Sequence, residues 1–129
     1  MAVIEQLATW LEALGFACEI QPLPLQPHKA NLIATLGQGS GGLVLAGHTD
    51  TVPFDETGWQ YPALGVSEAD NRFYGLGSCD MKGFFAVVID ALRTLEGQAP
   101  KEPIIIVATA DEESSMAGAE ALAAAGQLK

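Results

Sequence analysis

The sequence contains few basic residues. Its 129 residues include 6 lysines and arginines against 16 aspartates and glutamates, which gives a formal net charge of −10 at neutral pH. A surface of that charge repels nucleic acids and anionic lipids. The composition therefore predicts that neither nucleic acid nor a membrane surface is a partner of this chain.

Cysteine and long apolar runs are also scarce. Cys18 and Cys79 form neither a disulfide framework nor a CxxC metal motif, which favours a reducing compartment. A Cys79 nucleophile would need a paired histidine, and none is spare. The N-terminus lacks the basic region of a secretory signal, and the apolar runs at 84–92 and 104–110 are too short to cross a bilayer. The sequence thus predicts a cytoplasmic protein.

The apolar spacing predicts an α/β domain. Helices are predicted at 2–14, 84–95 and 116–125, and strands at 16–21 (ended by Pro22 and Pro24), 31–36, 43–47, 72–74 and 104–108. The continuous apolar run at 104–108 is typical of a central parallel strand covered on both faces. The alternation of strands and helices predicts one three-layer domain over residues 1–129.

Two connections have distinctive compositions. Residues 37–42 are rich in glycine, but the Lys-Ser/Thr pair of a phosphate-binding loop does not follow, so a hairpin turn is predicted. Residues 48–71 are polar and contain proline, which predicts a long loop with little regular structure. Loops of that length in compact domains are usually functional.

One imidazole and four carboxylates lie where predicted strands end or a helix begins. These residues are His48, Asp50, Asp80, Glu112 and Glu113. The sheets of α/β domains place functional sites at the carboxyl ends of their strands, so the five side chains are expected to converge. A carboxylate in a cleft is costly without a partner. A divalent metal ion is the simplest partner for this set.

Taken singly, each of these residues has a structural interpretation. A histidine after a strand is more often a hydrogen-bonding residue than a ligand. Asp80 is equally suited to cap the helix that begins near Met81. Glu112 and Glu113 are equally suited to the acidic first turn of the last helix. Only the combination indicates a metal site.

The combination resembles a known family. Its motifs are GHTDTVP at 47–53, YGLGSCDMKG at 74–83 and DEE at 111–113. In order and spacing these motifs resemble those of the M20 family of zinc-dependent peptidases and deacylases. The flanking stretches at 51–55, 81–86 and 108–119 are most similar to the acetylornithine deacetylase subfamily, and the likeness spans nearly the whole chain.

The resemblance implies a role for each site residue. His48 would bind one zinc ion, Asp80 would bridge two, and Glu113 would bind the second; Asp50 would orient His48, and Glu112 would act as the general base. The peptide bond between Asp80 and Met81 would be cis. Two zinc ions are implied per complete site, with cobalt as a possible substitute.

The resemblance also implies a reaction. It is the hydrolysis of an N-acyl amino acid, N2-acetyl-L-ornithine, to L-ornithine and acetate in arginine biosynthesis. The fold implied is a three-layer α/β/α zinc-peptidase-like catalytic domain, incomplete at both ends and without the lid and dimerisation domain through which full-length relatives are expected to form homodimers. A further acidic ligand and a histidine of the family pattern are missing, so the chain alone is expected to be inactive.

Other interpretations remain open at this stage. The chain is alternatively a noncatalytic α/β binding module or relic fragment, or a relative resembling succinyl-diaminopimelate desuccinylases or aminoacylases. Trp59 and Tyr61 are better suited to cover the core than to line the mouth of the site. Lys82 fits a structural ion pair as well as a substrate contact, and His28 is a poor substitute for the missing ligand.

Overall fold

The computed structural model describes residues 1–95 and 97–126. These residues form α1 (Ala2–Ala13), β1 (Ala17–Leu23), β2 (Gln26–Leu36), β3 (Leu43–His48), β4 (Ser67–Ala69), β5 (Arg72–Tyr74), α2 (Lys82–Arg93), β6 (Ile104–Thr109) and α3 (Ala117–Ala125). Within these two ranges, no helix is long and apolar enough to cross a membrane.

The main sheet has four strands in the order β1-β2-β6-β3. The apolar strand β6 is central, as predicted, and it runs parallel to β3 but antiparallel to β2. The sheet is mixed because β1 and β2 form a hairpin, in which Leu23 pairs with Gln26. Two intervening residues suffice for an antiparallel turn, whereas a parallel crossover needs a dozen or more. Strands β4 and β5 form a separate two-stranded sheet between β3 and α2.

Helices cover both faces of this sheet. Helices α1 and α2 pack against one face, where alternate residues of β2 and β6 such as Leu32 and Ile106 enter the main core. Asn31 points to the other face, where its amide donates to the Gly118 carbonyl of α3 at 2.9 Å and accepts from Ala110 N at 3.0 Å. The predicted three-layer α/β/α architecture is confirmed.

The predicted hairpin turn at 37–42 is wrong. Strands β2 and β3 are not neighbours, because β6 lies between them. The glycine-rich segment instead passes the start of β6, where Leu43 N donates to Pro103 O at 2.9 Å. At Gly42, with φ of 100°, a Cβ atom would lie 2.1 Å from that same oxygen. The glycine therefore permits a close backbone approach rather than a two-strand turn.

The predicted boundaries of two strands are also wrong. Strand β1 does not stop at Pro22 but continues to Leu23, with a register irregularity between these two residues. Proline is tolerated there because β1 is an edge strand. Strand β2 begins at Gln26, five residues before the predicted start at 31. Helix α2 begins at Lys82, close to the predicted start near Met81. Its first turn is therefore adjacent to Asp80.

Candidate metal centre

The site begins at two parallel strand ends. His48 is the last residue of β3, and it pairs in register with Thr109, the last residue of β6. Because the two strands run parallel, the segments that follow them leave the sheet at the same edge. Asp50 follows His48 by two residues, and Glu112 follows Thr109 by three. The sheet register thus brings the first and third predicted motifs together.

The imidazole of His48 has an acceptor on each side. The side chain is buried, with the residue 6% exposed. Its Nδ1 lies 3.2 Å from the Asp50 carbonyl oxygen and 3.5 Å from the Asp50 carboxylate. Its Nε2 lies 3.1 Å from Asp80 Oδ1 and 3.7 Å from Glu112 Oε2. If the Nδ1 hydrogen points to Asp50, Nε2 carries a lone pair, and a proton or a cation is needed between it and these carboxylates.

Asp50 connects the two strand ends. Its carboxylate accepts hydrogen bonds from the backbone N–H groups of Glu112, at 3.2 Å, and Glu113, at 3.0 Å. The same carboxylate faces His48 Nδ1. One side chain therefore holds both the histidine and the backbone that carries the two glutamates.

The donor atoms suit a borderline divalent ion such as zinc. One ligand atom each from His48, Glu112 and Glu113 lie within 4.8 Å of one another. Partial burial, followed by the nearby charges of Asp80 and Glu112, raises the pKa of Glu113 above its ordinary value. A carboxylate with like-charged neighbours favours a proton or a cation beside it. Imidazole nitrogen and carboxylate oxygen are both common zinc ligands, so the residues fit the ion.

Asp80 reaches this group from a different element. It lies in the turn before α2, and its peptide bond to Met81 is cis, as predicted. Helix α2 has Met81 at its N-cap and no side-chain cap hydrogen bond, so the interpretation of Asp80 as a helix cap is wrong. Its side chain is 72% exposed. It contacts His48, but it is outside the compact group formed with the two glutamates.

Glu112 and Glu113 do not belong to a helix. Helix α3 begins at Ala117, so the interpretation of the two glutamates as its first turn is wrong. They lie in a tight turn whose ends, Asp111 and Met116, have left-handed φ angles of 66° and 59°. Met116 N donates to Asp111 O at 2.8 Å and closes the turn.

A further acid of this turn was missed as a site residue. Asp111 is buried, with 4% of the residue exposed. Lys29 forms an ion pair with its carboxylate, which also accepts hydrogen bonds from Ser115, from Ser114 at 2.7 Å and from Gln26 at 3.3 Å. These donors, Lys29 foremost, hold the pKa of Asp111 well below its usual range. The available signal was that Lys29 is the only lysine or arginine before Arg72.

The smaller candidates lie apart from the compact group. Trp59 is exposed and Tyr61 is half-buried; the ring of Tyr61 stacks on that of Tyr74, with ring centroids 4.5 Å apart. Cys79 is an exposed free thiol. His28 is exposed on β2 and is absent from the metal-ligating group found among residues 1–95 and 97–126.

Lys82 lies close to the site at the start of α2. A Cβ atom added to Gly77 would lie 2.5 Å from its ammonium nitrogen, so the lysine chain is packed against this glycine. Partial burial lowers the pKa of Lys82, and the negative charge of Asp50 opposes that shift. No salt bridge of Lys82 occurs within the described part of the chain.

Comparison with known proteins identifies the family. Residues 44–129 match the family described as peptidase family M20/M25/M40. This chain belongs to that family. The matched segment contains all five predicted site residues, and the resemblance drawn from the motifs is confirmed.

Curated relatives share more than half of their aligned residues with the chain. It is 57% identical over 123 residues to acetylornithine deacetylase of Proteus mirabilis (strain HI4320), an alignment that covers 95% of the chain and 32% of the relative. It is 53% identical over 128 residues to acetylornithine deacetylase of Klebsiella pneumoniae (strain 342), covering 99% and 33%. The chain thus spans about a third of the length of these relatives.

Solved structures share the fold. Human carnosine dipeptidase 1 superposes with a TM-score of 0.74 at 24% identity, covering 93% of this chain and 29% of that one. A tripeptidase from Staphylococcus aureus subsp. aureus Mu50 gives 0.66 at 25% identity, covering 90% and 32%. The expected zinc-peptidase-like fold is confirmed.

Proposed function

We propose that this chain contributes to the metal-dependent hydrolysis of an N-acyl amino acid, with N2-acetyl-L-ornithine as the substrate. One observation carries the proposal. The 57% identity with the Proteus mirabilis acetylornithine deacetylase extends over 95% of the chain, across the stretches that carry His48, Asp80 and Glu113. A coarser assignment, amide hydrolysis by an M20 enzyme, is supported by the family match itself.

The proposed ligand roles follow the family resemblance. His48 and Glu113 would each hold one zinc ion and Asp80 would be a ligand to both, with cobalt as a functional substitute. When bound, the metal would polarise the acyl carbonyl and lower the pKa of water. The 3.1 Å approach of Asp80 to His48 supports this assignment. The compact group contains Glu112 and not Asp80, which supports Glu112 as a third ligand. The two glutamates therefore need a direct test.

Glu112 is proposed as the general base. Its carboxylate takes a proton from the attacking water and later gives that proton to the leaving amine, so the residue ends the cycle in its starting state. Its position is supported by the hydrogen bond from its own N–H group to Asp50. Asp50 in turn faces His48 Nδ1, so the ring directs Nε2 toward the other proposed site residues, Asp80 and Glu112.

We further propose that residues 1–129 are part of a catalytic domain and are inactive alone. Two zinc ions need at least three protein ligands each, with a bridging residue counted twice. His48, Asp80 and Glu113 supply only one terminal ligand per ion beside the bridge. The cytoplasmic location and the homodimer of full-length relatives stay predictions.

An assay of complementation tests the function. The chain is purified with and without the remaining two thirds of the Proteus mirabilis relative, either as a separate polypeptide or as a fusion, and amine release is measured with zinc. We expect no turnover by the chain alone and turnover of N2-acetyl-L-ornithine by the fusion. A fusion that prefers N-succinyl-diaminopimelate or other N-acyl amino acids would overturn the substrate. Turnover by the chain alone would overturn the ligand count.

Zinc binding separates the enzyme from a noncatalytic module. Isothermal titration of the chain with zinc should give saturable binding that is lost in His48→Ala. Binding no stronger than that of His48→Ala would favour the module, because a relic site has no need of the ion. The exposed His28 supplies the matched control, and His28→Ala should bind zinc as the unaltered chain does.

A further inference from the structure

Asp111 lies one residue before the two glutamates but faces away from their cluster. Its carboxylate is surrounded by donors from two parts of the chain. Gln26 and Lys29 reach it from β2, and Ser114 and Ser115 reach it from the same turn. The ligand roles proposed above do not use this residue.

The turn that carries the glutamates is held from both neighbouring strands. Strand β6, which leads into the turn, lies between β2 and β3 in the sheet. From the β2 side, Lys29 pairs with the Asp111 carboxylate. From the β3 side, Asp50 accepts the N–H groups of Glu112 and Glu113. The two anchors act on consecutive residues, so the backbone direction at the glutamates depends on both.

The conformation of the turn makes the anchor at Asp111 important. A left-handed φ angle is unfavourable for most residues other than glycine, although aspartate tolerates it better than most. The turn has such an angle at each end, at Asp111 and Met116. Side-chain donors that hold Asp111 in place therefore stabilise a backbone shape that directs two adjacent glutamates toward His48.

We propose that Asp111, with Lys29 as its counter-ion, is a positioning residue that sets the direction of Glu112 and Glu113 and thereby the metal affinity of the site. The proposed effect on metal affinity rests on the proposed function. The proposed effect on the direction of the glutamates depends only on the contacts of the turn. Lys29 comes from a strand that contributes no predicted ligand, which makes it a remote determinant of the site.

Amide hydrogen exchange tests the positioning directly. In Lys29→Met, the N–H groups of Glu112 and Glu113 should exchange faster by NMR, while that of Ile106 in central β6 keeps its rate. Lys101→Met is the matched control, because Lys101 is exposed and its loss changes the net charge equally. Lys29→Arg should restore the slow exchange, since it keeps the ion pair.

Metal binding tests the consequence. Loss of partners that orient a ligand typically costs 10–100-fold in metal affinity, so Lys29→Met should bind zinc ~10-fold more weakly than Lys101→Met. The visible spectrum of bound cobalt should change as well, which a loss of global stability alone would not cause. If Lys29→Met does not fold, Ser115→Ala removes one donor of the same carboxylate and is judged by the same measurements.

The outcomes are separable. Unchanged exchange at both glutamates, or equal acceleration at Ile106, would overturn the positioning role. Unchanged zinc affinity in a variant with faster local exchange would overturn the link to the metal. If the unaltered chain binds no zinc, the proposed function fails, and the exchange rates still decide whether Asp111 positions the turn.

Discussion

Two carboxylates only two residues apart in the turn after β6 meet opposite surroundings. Asp111 is buried among side-chain donors and pairs with Lys29. Glu113 faces Asp80 and Glu112, which share its charge. Within the described structure, the Asp111 carboxylate has an ion-pair partner and hydrogen-bond donors, and its pKa is lowered. The Glu113 carboxylate has like-charged neighbours instead, and its pKa is raised. The same sheet edge therefore holds one acid that stabilises the turn and another that favours a cation.

This difference separates structural acids from candidate ligands more clearly than burial does. Asp50 belongs with Asp111, since both accept hydrogen bonds from the chain itself. Asp80 and Glu112 belong with Glu113, because they approach a histidine nitrogen and other carboxylates. A divalent ion would neutralise the second group without disturbing the first.

The largest expected effect separates the adjacent glutamates. In the fusion with the remainder of the Proteus mirabilis relative, Glu112→Gln should lower turnover by at least ~100-fold, since losing a general base typically costs that much. Its zinc content should stay nearly unchanged. Glu113→Gln should instead lower zinc content, because the amide is a weaker ligand than the carboxylate.

Elemental analysis and amine release on the same preparations decide this prediction. Equal zinc loss in both variants would mean that Glu112 is also a ligand, as its place in the compact group with His48 allows. A Glu113→Gln variant that keeps its zinc but loses turnover would reverse the two roles.

The sequence was sufficient to predict the layers and the convergence of the site. The apolar run at 104–108 predicted the central strand, and the positions of His48 and Glu112 just beyond strands predicted one shared edge. These features follow from local periodicity and from the rule that parallel strands end together. The assignment of individual ligand roles came only from the family resemblance.

Other features depend on long-range contacts. The glycine segment at 37–42 was wrongly predicted as a hairpin, because nothing local shows that β6, over 60 residues later, inserts between β2 and β3. The pairing of Lys29 with Asp111 spans 82 residues. Sequence periodicity identifies which residues are apolar, but it does not identify the partner of an isolated charge.

A smaller effect is expected when the shared anchor is removed. Asp50→Ala deletes the acceptor for the N–H groups of both glutamates and the group that faces His48 Nδ1. Zinc affinity of the chain, measured by competition with a coloured chelator, should fall ~10–100-fold. Asp55→Ala is the matched control, since exposed Asp55 bonds only to Thr57 of its own loop among the described contacts. Equal affinity in the two variants would contradict the anchoring role.

The smallest expected effect is a pair of opposite stability changes in the metal-free chain. The pKa of Asp111 is lowered on folding, so its contribution is present above the ordinary aspartate pKa and is lost as the pH falls below it. The pKa of Glu113 is raised on folding, so its ionisation destabilises the fold at neutral pH, and this cost disappears as the pH falls below the ordinary glutamate pKa. The two acids should therefore shift stability with pH in opposite directions.

Chemical unfolding at neutral and acidic pH, in the presence of a chelator, measures both. Asp111→Asn should lower the unfolding midpoint at pH 7, because the neutral amide cannot pair with Lys29 in the same way, and the loss should shrink in acid. Glu113→Gln should raise the midpoint at pH 7, because it removes a charge from a cluster of like charges, and this gain should also shrink in acid. If Glu113→Gln destabilised the metal-free chain as Asp111→Asn does, Glu113 would be an internally satisfied acid, and the distinction between the two carboxylates would fail.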